Sequence, residues 1–373
     1  MASPRVLDLD SLLADIPGGN PAGTDLREDY SPRAVFRVLK DARAAARAAE
    51  RGAVWEDDEA GSKPADWSPV PKLAPPALAT QAKDLEIAAW LIEALVRAHG
   101  FAGLRDGFRL VGGLVERFWE QLYPLPDADG LETRLAPLAG LNGVEGEGVL
   151  IPAIASVPLT AGISAGPFHL GHYRQALELE RIEDPQRRAA RLDKGAVSLP
   201  ALQKAVAETP AAFFSTLRAD LAECSREFDQ LSAVLETHCG TDGSGHSLAP
   251  PTSNIRNTLL ACREALDFLV PSGAPAAPEA ADPTRLTANV AGGGPGQLWD
   301  HVRNREDAFR ALLQVAEFFK RTEPHSPVSY ALEQAVRWGR MSLPELLGEL
   351  VQEQSVRDQV FKLIGLPQPR EPE

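Results

Sequence analysis

The sequence TQAKDLEIAAWLIEALVRAHGFAGLRDGFRLVGGLVERFWEQLYP, residues 80–124, decides the fold of the first part of this chain. In its second half, apolar side chains recur at steps of three and four residues, which draws one apolar stripe along a helix. That stripe consists of Phe101, Leu104, Phe108, Val111, Val115, Phe118 and Leu122. The first half carries a broader stripe, made of Leu85, Ala88, Ala89, Ile92, Leu95 and Val96.

Two signals set the ends of these helices. His99-Gly100 ends the first helix, because glycine readily takes the left-handed conformation that terminates helices. Pro124 ends the second helix, because proline disfavours helix in the residue before it. The stretch therefore predicts a tight antiparallel helical hairpin, and its apolar seam offers no side chain suited to catalysis.

Composition and charge restrict the class of protein. A chain of 373 residues, rich in alanine and leucine with only 6% aromatics, predicts an all-α fold of two or three domains. No apolar run approaches the roughly 20 residues of a membrane helix, and residues 1–10 lack the pattern of a signal peptide. A net charge of −14 argues against nucleic acid as a partner. Three cysteines form neither a metal motif nor a disulfide framework, so we expect a cytoplasmic protein.

The pattern along the chain predicts five segments. A second apolar seam follows the first, with Phe214, Leu217, Leu221, Cys224, Phe228, Leu231 and Leu235, and its partner helix carries Ile255, Leu259, Cys262, Leu266 and Leu269. Pro/Ala/Gly-rich sequence then predicts a flexible linker, because it cannot bury enough surface to order itself. The segments are an N-terminal helical domain (1–145), a middle helical domain (146–270), the linker (271–301), a C-terminal helical oligomerisation domain (302–365) and a tail (366–373).

Two proline-rich stretches are predicted to lack regular structure. Residues 52–76 are expected to form an exposed loop, with Trp55 and Trp67 folding back onto the body as anchors rather than binding a partner. Residues 143–167 are expected to be an extended segment at a domain boundary, because prolines this frequent disfavour both helix and central strand.

Residues with possible chemistry are few. The glycines of 291–296 follow linker rather than a strand, so a dinucleotide-binding loop is not predicted. His238, Cys239, Asp242 and His246 are potential metal ligands on one loop, but they lack a second ligand pair. His169 and His172 flank Gly171 without evident partners. We therefore predict no catalytic residue, no cofactor and no metal. A metal-dependent enzyme using the 238–246 loop remains the less favoured alternative.

The C-terminal segment carries more apolar side chains than a unit of its size can bury. About sixty residues provide little interior, and a surplus of exposed apolar surface indicates an interface. The predicted interface residues are Phe309, Leu312, Leu313, Phe318, Phe319 and Trp338. We favour self-association over coverage by the middle domain. A monomeric helical adaptor is the competing interpretation.

The sequence also resembles a known family. Asn20-Pro21-Ala22-Gly23 with Asp25-Leu26-Arg27, Lys83-Asp84-Leu85, and His99-Gly100-Phe101-Ala102-Gly103-Leu104 resemble the ImpA-type N-terminal domain of TssA proteins, which belong to the bacterial type VI secretion system. Residues 180–185 with 195–197 resemble the middle region, and residues 305–308, 318–319, 322–327 and 338–341 resemble the shorter C-terminal domain. The resemblance implies a non-enzymatic cytoplasmic scaffold that forms rings through its C-terminus. It further implies contacts with the baseplate, sheath or inner tube.

Overall fold

The structure is a computed structural model that describes residues 1–55, 64–128, 130–270 and 327–341, and positions 309, 310, 312, 313, 315–317, 320, 346 and 349. The chain divides into two compact units, Met1–Pro278 and Glu279–Glu373. Across these described residues the regular elements are helices, and the β-pairing consists of isolated bridges. The predicted all-α fold is confirmed. The predicted linker, 271–301, lies outside the described residues, as do residues 56–63, which include the acidic stretch Glu56 to Glu59.

Helices α1 to α11 belong to the first unit and α12 to the second. Their bounds are α1 Leu9–Leu12, α2 Val35–Trp55, α3 Pro69–Thr80, α4 Leu85–Phe118, α5 Glu132–Asn142, α6 Leu150–Ala155, α7 Leu170–Glu180, α8 Pro185–Asp193, α9 Leu199–Glu208, α10 Ala211–Cys239, α11 Ser253–Leu269 and α12 Pro327–Arg340. A short 3-10 helix, Leu26–Glu28, precedes α2.

Helix α4 is the predicted hairpin, folded back on itself at Gly100. This glycine has φ 55° and ψ −135°, a conformation outside the helical region that a side chain would strain. The two arms then pack against each other so closely that a Cβ on Gly103 would lie 2.3 Å from the carbonyl oxygen of Leu95. A Cβ on Gly107 would lie 2.6 Å from Cγ1 of Ile92. The predicted tight antiparallel arrangement is confirmed.

The open end of the hairpin is closed by backbone hydrogen bonds. The amide of Leu85 donates to the carbonyl of Tyr123 at 2.8 Å, and the amide of Tyr123 donates to the carbonyl of Lys83 at 3.0 Å. Asp84 caps the first arm, because its carboxylate accepts from the amides of Glu86 and Ile87. These bonds fix the register of the two arms independently of their apolar seam.

Helix α10 packs along α4 and joins both predicted seams into one core. All seven residues of each predicted long stripe are buried. The α10–α11 pair is antiparallel, since Arg256 reaches Asp229 near one end and Arg218 reaches the carbonyl of Leu266 near the other. The core of the first unit therefore continues across the boundary that was predicted between residues 145 and 146.

The predicted loop over residues 52–76 is wrong at both ends, because α2 continues to Trp55 and α3 begins at Pro69. Proline is tolerated in the first turn of a helix, where the amide has no intrahelical acceptor, and Pro69 and Pro71 lie in that turn. Pro75 and Pro76 lie further inside, and the helix is held there by burial of one face against the core. That face consists of Val70, Ala74, Ala77 and Leu78.

Trp67 behaves as the predicted anchor. It is 9% exposed, its Nε1 donates to Glu50 at 2.8 Å, and the guanidinium of Arg97 lies 4.1 Å from its ring centroid. Anchoring is confirmed for Trp67, whereas the side chain of Trp55 lies outside the described residues.

The predicted extended segment over 143–167 is wrong at its centre, where residues 150–155 form α6. Pro152 is again in the first turn of the helix, so it removes no intrahelical hydrogen bond. Leu150, Ile151 and Ile154 are buried, and their packing against the core decides the local structure.

Helix α4 passes a test of length and composition for crossing a membrane, but 78% of its most apolar window is buried inside the first unit. Folding back at Gly100 divides α4 into arms over residues 85–99 and 101–118, each shorter than the roughly 20 residues of a membrane span. The apolar character of α4 is therefore explained by its central position in the core.

In the second unit, α12 lies antiparallel to the helical positions between 309 and 320. A Cβ on Gly339 would lie 2.5 Å from Cζ of Phe309, while Nζ of Lys320 lies 2.5 Å from Oε1 of Glu333. Ala316, Ser329 and Val336 are buried between these elements. These two elements form a helical pair, and the described part of the C-terminal unit also includes the helical positions 346 and 349.

Candidate interaction surfaces

Two of the segments that carry the family resemblance, residues 20–27 and 83–85, meet at one junction of the first unit. The amide of Lys83 donates to the carbonyl of Ala22 at 2.8 Å, and Nδ2 of Asn20 donates to the hydroxyl of Tyr123 at 3.3 Å. Gly23 permits the close approach, since its φ is 79° and a Cβ there would lie 2.0 Å from the carbonyl oxygen of Gln81. The junction joins the N-terminal turn to the open end of the α4 hairpin.

Arg27 and Asp84 form the charged centre of this junction. Nη1 of Arg27 donates to Oδ2 of Asp84 at 2.6 Å, and Nη2 donates to Oε2 of Glu86 at 2.7 Å. Burial alone would lower the pKa of Arg27, but the two carboxylates outweigh it and raise that pKa above its ordinary value. The guanidinium of Arg27 is therefore occupied by ion pairs within the fold, and its role is structural.

Lys83 is a fully buried amine at the same junction. Its Nζ donates to the carbonyls of Leu12 and Leu78, at 2.8 Å each, and lies 5.4 Å from the ring centroid of Phe118. Burial, with a smaller contribution from Arg117, lowers the pKa of Lys83 to about 8. The lysine holds the carboxyl ends of α1 and α3 against the hairpin.

A second buried cluster fastens the N-terminus to the α4–α10 interface. Nε of Arg105 donates to Asp106 at 2.7 Å, and Nη1 donates to the carbonyl of Ser3 at 2.9 Å and to Glu223 at 3.1 Å. Asp106 accepts from the amide of Val6 at 2.5 Å. The carboxylates outweigh burial and raise the pKa of Arg105. Sequence reasoning missed this cluster, although adjacent opposite charges inside an apolar helix were a usable signal.

The possible metal ligands of the 238–246 loop are separated. The ring of His238 packs against Trp119 with centroids 5.3 Å apart, and Cys239 is buried beside it with a thiol pKa raised to about 11 by burial. Asp242 and His246 pair at the surface, 3.5 Å apart. Within the part of the chain that the structure describes, no three potential ligands come together to hold a metal.

His169 and His172 have a structural role at the start of α7. Nδ1 of His169 accepts from the amide of Gly171 at 3.1 Å, and Nδ1 of His172 accepts from the amide of His169 at 3.3 Å. The pair forms a capping box, and burial lowers the pKa of both imidazoles. The two imidazoles therefore cap the start of α7 as neutral hydrogen-bond acceptors, and this role accounts for their positions without a bound ligand.

The predicted interface residues of the C-terminal unit are partly accessible. Leu313 is 37% exposed, and Phe309, Leu312 and Trp338 are half-buried. Phe318 and Phe319 lie outside the residues whose side chains are described. Phe309 packs against α12, and Nε1 of Trp338 donates to Glu349 at 3.2 Å.

A groove of about 540 Å³ runs beside Leu313 in this unit. Val336 and Met341 continue its apolar lining, while Glu333, Arg337 and Arg340 provide charged groups. Apolar residues with a charged border are typical of protein–protein interfaces.

Comparison with known proteins identifies the same N-terminal architecture. Residues 13–143 match the family described as ImpA, N-terminal, of the type VI secretion system. Over 365 residues, the chain is 28% identical to the type VI secretion system component TssA1 of Pseudomonas aeruginosa, covering 93% of this chain and 95% of that protein. A solved N-terminal domain of the TssA component from Burkholderia cenocepacia, including the conserved ImpA_N region, matches with a TM-score of 0.57 and 27% identity. That match covers 70% of this chain and 93% of the solved one.

The helical core and the junction of residues 20–27 with 82–86 define an all-α protein with an ImpA-type N-terminal domain. Residues 13–143 carry the ImpA-type N-terminal domain, and most of the chain is similar to TssA proteins of the type VI secretion system, which confirms the resemblance seen in its sequence.

Proposed function

We propose that this protein is a non-enzymatic assembly scaffold of the type VI secretion apparatus. In this proposal it works in the cytoplasm, forms rings of identical subunits and contacts baseplate, sheath or inner-tube proteins. The likeness to TssA1 over 93% of the chain supports membership of the apparatus. The titratable clusters described above bind the fold together, and their structural roles favour a scaffold over an enzyme.

The observation that carries the assembly role is the accessible apolar surface around Leu313. An exposed leucine beside a groove lined by Val336 and Met341 would be buried by a second subunit. Fully burying a large apolar side chain contributes about 1.5–3 kcal/mol, so a few such residues on each subunit favour association. Contacts that repeat head to tail close into rings when the rotation between subunits permits.

A tethered ring would also explain the division of the chain into two units. The composition of 271–301 predicts a flexible connection, so each ring would present many copies of the first unit. Weak contacts between those copies and a repetitive tail structure would be strengthened by multivalency.

The mass of the intact particle tests this proposal directly. Light scattering of the full-length protein should give a defined multiple of the 40.1 kDa chain, and Leu313→Asp should shift it towards the monomer. Ile163→Asp is the matched control, since Ile163 is 96% exposed and belongs to the first unit. A wild-type monomer at micromolar concentration would favour the helical-adaptor alternative. An unchanged particle for Leu313→Asp would place the interface elsewhere.

A further inference from the structure

Helix α8 is an exposed element whose residues contribute nothing to the core. None of its residues is buried, and it is flanked by α7 and α9, which bury Leu170, Leu179 and Leu202. A helix of nine residues is too short to be stable in water by its own propensity. Something other than apolar packing must therefore hold it in a helical conformation.

Local hydrogen bonds at both ends of α8 supply that stability. Asp184 caps the start, accepting from the amide of Gln186 at 2.9 Å, and Pro185 occupies the first helical position. Gly195, with φ 84°, ends the helix; its amide donates to Leu192, and the amide of Ala196 donates to Arg191 at 3.1 Å. This is a Schellman ending. The chain thus holds an exposed helix in a fixed conformation, which lowers the entropy cost of binding through it.

The side chains of α8 are basic although the chain carries a net charge of −14. Arg187, Arg191 and Lys194 follow one another at steps of four and three residues, so they share a helix face. With Arg181 they line a shallow groove of about 680 Å³, which also contains Glu183 and Asp184. Among the described residues these four cations form no salt bridge, whereas the neighbouring Arg188 pairs with Glu180.

We propose that the face formed by Arg187, Arg191 and Lys194 is a docking surface for an acidic segment of a partner protein. Arginine guanidinium groups bind carboxylates through paired hydrogen bonds, and three cations at helical spacing suit carboxylates repeated along a helix. Two apolar side chains lie with the cations, since Ile182 and Ala190 line the same groove. Apolar contacts of this kind favour a protein over nucleic acid, which the chain's overall negative charge also repels.

This surface goes beyond the scaffold proposal, because it assigns partner chemistry to a defined helix of the first unit. It does not depend on ring formation by the second unit. A monomeric protein that binds acidic peptide would contradict the ring and leave the docking surface intact.

Fluorescence anisotropy with a designed peptide tests the docking surface. The probe is a labelled helical peptide with three glutamates at steps of four and three residues, and its partner peptide carries glutamine at the same positions. The full-length protein is compared with R187E/R191E/K194E. The matched control is R33E/R37E/K40E, which reverses three exposed cations at the same spacing elsewhere in the first unit.

Wild type and R33E/R37E/K40E should bind the glutamate peptide alike, and R187E/R191E/K194E should bind it at least about tenfold more weakly. The melting temperature of R187E/R191E/K194E should match that of wild type, because no residue of α8 is buried. The proposal would be overturned if wild type did not bind the glutamate peptide, or if both triple variants bound it equally weakly. It would also be overturned if wild type bound the glutamine peptide equally well, or bound single-stranded DNA more tightly than the glutamate peptide.

Discussion

Phe108 of α4 and Phe228 of α10 lie in contact, with ring centroids 4.8 Å apart and planes inclined at 47°. Each ring belongs to one of the two apolar stripes that the sequence predicts, and both are buried. The pair lies where the two hairpins of the first unit meet. Its removal should therefore weaken the whole first unit.

Phe108→Ala should lower the free energy of unfolding of the first unit by about 3–5 kcal/mol, because it leaves a cavity at the α4–α10 interface. Chemical denaturation followed by circular dichroism measures the change. Phe268→Ala is the control, since Phe268 is 53% exposed, and it should cost less than about 1 kcal/mol. Equal costs for the two variants would mean that the Phe108–Phe228 contact is not part of a tight core.

Asp84→Asn should cost about 2–3 kcal/mol, towards the low side of the roughly 3–5 kcal/mol for a broken buried pair, because Arg27 loses its buried counter-ion but keeps Asp25 and Glu86. The asparagine still offers an oxygen to the amides of Glu86 and Ile87. Asp84→Ala removes that cap as well and should cost about 1 kcal/mol more. Denaturation midpoints of the two variants separate the ion pair from the cap. If Asp84→Asn matched wild type, the ion pairs of Arg27 with Asp25 and Glu86 would be sufficient to hold it.

Lys83 should make stability depend on pH in the alkaline range. Its pKa is lowered to about 8 in the folded state, so between that pH and its ordinary pKa of 10.5 the unfolded chain binds more protons. Stability attributable to Lys83 therefore rises with pH across this window, by up to about 1.4 kcal/mol per pH unit. The unfolding free energy of wild type minus that of Lys83→Met isolates the effect from other groups. A difference that stays flat from pH 8 to 10.5 would contradict the lowered pKa.

The three cysteines should resist thiol reagents while the protein is folded. Burial raises the pKa of Cys224 well above its ordinary value, that of Cys262 to about 12 and that of Cys239 to about 11. The thiolate is the reactive form, so a disulfide reagent at pH 8 should react only slowly with the native protein. After unfolding, the same reagent should react with all three thiols. Cys239, at 6% exposed, should react first. Rapid native reaction at Cys224 or Cys262 would show that the α10–α11 seam opens.

The apolar periodicity of the first unit was predictable because it reflects local chain geometry. Gly100 breaks α4 as expected, and Gly240 ends α10 with φ 68°. Helix α3 was missed because a count of prolines does not say which of them lie in a first turn. Burial of Val70 and Leu78 against the core then decides the conformation, and that contact is invisible to a local pattern.

Buried charges were the other feature that sequence patterns did not predict. Glu93 is fully buried in α4, where Arg43 donates to it at 2.7 Å from a helix fifty residues earlier in the chain. A charged residue is ordinarily assigned to the surface, and only the position of its partner shows otherwise. The basic face of α8 was not predicted from the sequence either. The cap residues Asp184 and Pro185 indicated only where a helix begins.

The junction around Arg27 and Asp84 has an evolutionary consequence. Arg27 and Asp84 lie within residues 13–143, the range that matches the ImpA N-terminal family, and they bind each other at this junction. Substitutions at these positions are therefore limited by the folding of the chain itself. The cations of α8 lie outside that range and satisfy no requirement of the core. Natural variation can therefore change the helix that would select a partner without altering the features by which a relative is recognised. Two chains with the same N-terminal signature can diverge in what they bind.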